Sequence, residues 1–106
     1  MNLTIAERFM AQNTLPPQGT LVTLRIVMEA QQVLGLSSDE IARYKVVTKD
    51  GRTTWDPEHA ATLFDIPLTA AAIEVLKEEL DKLNAAAKLT FNHVPLFEKV
   101  HAAASE

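Results

Sequence analysis

The chain has no cysteine, and among its 106 residues there are only three glycines, one tryptophan and one tyrosine. Without cysteine there are no disulfides, thiolate metal sites or cysteine nucleophiles, a usage that fits a reducing, cytoplasmic setting. Gly19, Gly35 and Gly51 stand far apart, each beside a turn or helix end, so phosphate-cradling and dinucleotide-binding loops are absent. No apolar run approaches the roughly 20 residues of a membrane span. The stretch Met1 to Met10 lacks the basic start and apolar core of a secretory signal. A basic surplus is missing too. The net charge of −4 argues against general nucleic-acid binding, which needs a basic face to neutralise phosphates.

What is present is a 47% hydrophobic composition, enough for a core in one domain spanning residues 1–106. A domain this small is marginally stable alone, and association with copies of itself would help. Charge is unevenly placed. Arg8, Arg25, Arg43 and Arg52 all precede Trp55, whereas nine acids face four lysines from Asp56 onward. The plain reading of the second half is a solvated acidic face on C-terminal helices.

Local signals predict an α+β, mostly helical fold, with four or five helices and a small antiparallel hairpin or three-stranded sheet mid-chain. Thr4-Ile5-Ala6-Glu7 has capping-box spacing and opens a short helix that ends at Asn13-Thr14, before Pro16-Pro17. A second helix runs from about Leu21 to Leu34, with Leu21, Leu24 and Met28 on its apolar face and Gly35 just past its end. Ser37-Ser38-Asp39-Glu40 is another capping box, opening one or two turns that end near Arg43.

Tyr44 to Thr48 and Arg52 to Trp55 are rich in β-branched and aromatic residues, and Asp50-Gly51 between them favours a tight hairpin turn. Beyond Asp56-Pro57 the pattern fits a helical turn near Glu58 to Ala61 followed by a short edge strand, Leu63 to Ile66. A third strand of the hairpin sheet through the same segment is the alternative. Thr69 caps the strongest helix, whose Ile73, Leu76, Leu80 and Leu83 recur three and four apart and which the alanine run can prolong to Lys88. A last helix starts with Asn92 as cap and Pro95 in its first turn, burying Val94, Phe97, Val100 and His101. Its end, from Ala102 to Glu106, is expected to fray.

Catalytic and metal constellations are missing. The spacing of His93 and His101 suits no HxxxH or HExxH pattern, and Asp39-Glu40 and Glu78-Glu79 lack apolar surroundings that would raise a carboxyl pKa. Ser37 and Ser38 are cap candidates and Ser105 lies in the tail, leaving no nucleophile paired with a histidine and an acid. No cofactor is implied. Two features remain. The Gly19-Thr20 helix start, with Arg8 and Arg25 in the same half, is a candidate site for an anionic, nucleotide-like molecule. Trp55 beside Arg52 and Tyr44 is a candidate interface, as are Leu76, Leu80 and Phe97 of the C-terminal stripes.

Leu3-Thr4-Ile5-Ala6-Glu7-Arg8, the Leu15-Pro16-Pro17-Gln18-Gly19 turn, the Gly51 to Trp55 arm, and Leu89-Thr90 followed by His93, Leu96, Phe97 and Lys99 together resemble a group of small proteins of tailed bacteriophages and prophages. That resemblance implies a phage or prophage origin. It also implies a non-enzymatic role through contacts with a host or virion protein, or sequestration of a host nucleotide. The expectation is thus a cytoplasmic homo-oligomer acting by protein–protein contact, with an anionic-ligand binder as rival, and neither nucleic acid nor membrane as partner.

Overall fold

Four of the five helices begin the same way. The hydroxyls of Thr4, Thr20, Ser37 and Thr69 accept hydrogen bonds from the backbone N–H groups of Glu7, Thr23, Glu40 and Ala72. Each satisfies an amide that has no partner inside its own helix. In the computed structural model, which describes residues 1–105, these caps open α1 (Ile5–Thr14), α2 (Leu21–Leu34), α3 (Ser38–Arg43) and α4 (Ala70–Ala85). At α1 and α3 the glutamate three residues on returns the bond, so both expected capping boxes are present. The fifth helix, α5 (Val94–Ala104), follows a single 3₁₀ turn, Phe91–His93. Its start differs from expectation: the Thr90 N–H donates to His93 Nδ1 at 3.0 Å, so the closure sits at Thr90 rather than Asn92. Pro95 is in the first turn, where its missing N–H is harmless.

Two helices end in a left-handed residue that is not glycine. Ala87 has φ +56° and Lys45 has φ +54°. Lys88 N–H donates to Leu83 O at 2.8 Å, and Val46 N–H to Ile41 O at 3.0 Å. These bonds reverse the chain as a Schellman motif does, and the reversal stops α4 at Ala85, short of the expected Lys88. Gly35 was expected to end α2 in this way, but its φ of −64° is ordinary. Its lack of a side chain matters for space: a Cβ would lie 3.2 Å from Gln31 O.

The strands form two separate two-stranded sheets, not one of three. β2 (Val47–Lys49) and β3 (Arg52–Thr54) make the expected hairpin, with Lys49 opposite Arg52 and the two-residue turn at Asp50 (φ +54°) and Gly51 (φ +75°). β4 (Phe64–Asp65) is the short strand anticipated after the 3₁₀ turn Pro57–His59, but it pairs with β1 (Asn2–Leu3) at the other end of the chain. A two-residue strand has no periodicity to betray it, so β1 is invisible in the sequence.

One core joins the elements. Leu34, Leu76, Leu80, Leu96 and Val100 are fully buried, with Leu3, Ala11, Ala30 and Ile66 around them. This corrects two expected faces. On α2 the buried residues are Val27, Ala30 and Leu34, whereas Leu21 and Met28 point to solvent. On α5 the buried residues are Leu96 and Val100, whereas Val94 is exposed and Phe97 half-buried. The described residues contain no helix long and apolar enough to cross a membrane.

Candidate interaction cleft

Beside the core lies a cleft of 820 Å³ between α1, the β3 arm and the start of α5. Its apolar lining comes from Ala6, Phe9 and Met10 of α1, Trp55 after β3, and Phe91 and Pro95 near α5. Trp55 packs on Phe9 with ring centroids 5.7 Å apart, which seats the base of the hairpin on α1. The Asp56 N–H donates to Tyr44 O at 2.8 Å and holds the two ends of the arm together. Phe91 is 95% exposed at the cleft margin, an unusual position for a large apolar ring.

The polar lining includes the amide side chains of Asn13 and Asn92, the Thr53 hydroxyl and the Glu7–Lys99 pair. Lys99 Nζ donates to Glu7 Oε1 at 2.6 Å and to Asn2 O at 3.1 Å, while the same Glu7 oxygen accepts the Thr4 N–H at 2.8 Å. Glu7 is nearly buried, so it is the ion pair, not a free charge, that faces the cleft.

The predicted site residues fall in different places. Arg8 was assigned to an anion site and is instead 3% exposed. Its Nε and Nη2 donate to Leu34 O (2.9 Å) and Gly35 O (2.7 Å), the free carbonyls at the end of α2. Its Nη1 donates to Glu40 Oε2 at 2.8 Å, and the guanidinium lies 5.2 Å from the Phe64 ring centre. The hydrogen bond from Arg8 holds the Glu40 carboxyl below its ordinary range; partial burial opposes this, and the Ser37 amide supports it. Gly19 and Thr20 are exposed at the opposite end of α2 from Arg8, about 20 Å away along its 14 residues, and the exposed Arg25 lies about 14 Å along the helix from Leu34. The four residues therefore cannot converge on one anion. Thr20 is occupied by its cap bond and by Thr23 Oγ1 at 3.1 Å.

Leu76 and Leu80, expected at an interface, are core residues with no exposure, because α4 and α5 spend their stripes on each other. Phe97 is half-buried and stacks on His101 with centroids 4.2 Å apart. Tyr44 is also internal in role, lying edge-on to Phe64 (5.3 Å) and to His59 (4.9 Å). Trp55 and Arg52 do reach a free surface: the first lines the cleft, and the second is exposed on β3.

Sequence reasoning missed Phe9, Met10, Phe91 and the Glu7–Lys99 pair as cleft residues. The one available signal was Phe91, a large ring among the polar residues Thr90, Asn92 and His93. It also missed a second apolar surface. Leu21, Val22 and Met28 of α2 are 68%, 69% and 65% exposed, beside a 500 Å³ depression lined by Leu15, Pro16, Pro17 and Leu24 among others. Among the described residues there is no group of three or more histidine or acidic side chains placed to hold a metal ion. No protein-family model, curated protein or solved structure matches the chain significantly.

Proposed function

We propose that this chain is a non-enzymatic interaction protein that self-associates through α2 and offers its aromatic cleft to a protein partner. The carrying observation is the outward side of α2, where Leu21 and Met28, each about two-thirds exposed, share one helix face and Met28 lines the Pro16-Pro17 depression, with the exposed Val22 further around the helix. Apolar surface gathered in this way favours association, and a twofold pair is the commonest closed arrangement. Oligomerisation would cover it and add to the modest burial available to a domain of 106 residues. The resemblance to small phage and prophage proteins supports a host or virion protein as the further partner. The anionic-ligand alternative is not supported, since Arg8 is committed to Leu34, Gly35 and Glu40 at the far end of α2.

Light scattering after size exclusion tests this reading. The expected mass is at least twice the 11.7 kDa of the chain. Met28→Glu combined with Val22→Glu returns the protein to that single-chain mass with unchanged helical circular dichroism, because both side chains face solvent. A strict monomer at high concentration overturns the self-association half of the proposal.

A further inference from the structure

Residues 9–38 carry only two charged side chains, Arg25 and Glu29, whereas the other 76 residues carry 22. That stretch builds most of α1, the Pro16-Pro17 turn and the whole of α2. Depletion of charge marks the centre of protein–protein interfaces, where a charged group must give up its water. The two charges that remain are opposite in sign, four residues apart and exposed on the outward side of α2. Neither joins an ion pair among the described residues. Within one helix, a base preceding an acid is the weaker order for such a pair.

Their place on the helix selects the partner. Leu21, Arg25, Met28 and Gln32 are all exposed and follow at intervals of four, three and four, the spacing of a seam that faces another helix. At about 100° per residue, Glu29 flanks this seam on one side. Leu24 flanks it on the other, where with Met28 it lines the Pro16-Pro17 depression. Two copies can close on such a seam in two ways. A parallel twofold pair sets Arg25 level with the partner's Arg25, two cations in one seam. An antiparallel pair has its axis across the helices, so each flank meets the same flank of the partner in reverse order. With that axis at the level of Ile26 and Val27, Arg25 lies within about 1.5 Å, one residue of rise, of the level of the partner's Glu29. Met28 then lies equally close to the level of the partner's Leu24, over the depression. One register satisfies both flanks. We infer that α2 pairs with α2 of a second copy in antiparallel order, held by reciprocal Arg25–Glu29 ion pairs on one flank and Met28–Leu24 packing on the other. This rests on reading α2 as the self-association surface and adds orientation, register and the charges that choose the partner. A foreign protein needs no surface that matches its own reverse.

Native mass spectrometry of charge-reversed chains reads the pairing. Arg25→Glu and Glu29→Arg, both at exposed positions, each turn two attractions into two repulsions and should weaken the dimer at least about tenfold. The two single variants mixed together should form a heterodimer in preference to either homodimer. The double variant should regain the affinity of the parent chain. Orientation is read separately, because the chain has no cysteine of its own. Leu21→Cys alone should give no disulfide, since its two copies lie about 16 Å apart along the pair; mixed with Gln32→Cys it should cross-link. Ready cross-linking of Leu21→Cys alone means a parallel pair and overturns the inference. So does a dimer that neither single reversal weakens, although self-association itself then stands. A parent chain that is monomeric near about 1 mM overturns both readings together.

Discussion

One oxygen of Glu7 closes two structures at once: it accepts the Thr4 amide that starts α1 and, at 2.6 Å, the ammonium of Lys99 on α5. The two partners of the ion pair are not equivalent. Glu7 is 7% exposed in its side chain and Lys99 is 35% exposed, so only Lys99 can turn to water when the pair is broken. Glu7→Gln keeps the cap and frees Lys99, whereas Lys99→Met strands a buried carboxylate. Urea denaturation should therefore show Lys99→Met to be the costlier change, by about 1–2 kcal/mol.

The Arg8 guanidinium is held at three points, and an ammonium cannot reproduce that planar fork. Arg8→Lys should cost about 2–3 kcal/mol, since it leaves the Leu34 or Gly35 carbonyl unsatisfied beneath the surface. A loss below about 0.5 kcal/mol would show that water replaces the fork without penalty.

Acid should act on the same joint. The Arg8 hydrogen bond keeps the Glu40 carboxyl below its ordinary value of 4.5. Its contribution to stability is present above that value and is lost as pH falls through the lower, folded-state pKa. Between about pH 5 and 3 the melting temperature of Glu40→Gln should fall less than that of the parent chain. Parallel curves would show that Glu40 takes no part in acid unfolding.

Backbone sign decides a further pair of substitutions. Ala87 occupies the left-handed region at the end of α4, where glycine is at ease, so Ala87→Gly should stabilise by about 0.5–1 kcal/mol. Gly51 has φ +75° in open space, so Gly51→Val meets no clash and costs about 1–2 kcal/mol through the backbone alone. Thermal melts should move in opposite directions.

Two apolar truncations should separate core from surface. Leu80→Ala removes a side chain with no exposure and should cost about 2–5 kcal/mol. Phe91→Ala removes a ring that is 95% exposed and should change stability by less than about 0.5 kcal/mol. Equal losses would place Phe91 against the body of the protein.

Elements defined by neighbouring residues were legible. Thr4 with Glu7, Ser37 with Glu40, Thr69, and Asp50-Gly51 all encode their structures within four positions, and each is found where expected. What depends on distant partners was not. Apolar residues surround α2 on several sides, since Leu21, Val22, Leu24, Ile26, Val27 and Met28 follow almost without interruption. Periodicity therefore could not say which side the core would take. The stripes of α4 and α5 looked like a surface for another copy, but each is the other's covering. Arg8 was read by its charge and used for its fork, and the cleft joins residues from four stretches of chain with no shared motif.

The Glu7–Lys99 pair spans 92 positions, and β1 reaches β4 across more than half the chain. On a ribosome, α1 emerges long before the lysine that neutralises its inward carboxylate. The α4–α5 hairpin, local in sequence, can form as soon as it is made, and so can the α1–α2 pair, whereas the covering of α1 by α4 and α5 must wait for the end of the chain. Synthesis thus presents α1 first and completes it last. A chain stalled before α5 could pack α1 on α2 but would leave the strip of α1 that meets α5 uncovered and open to chaperones.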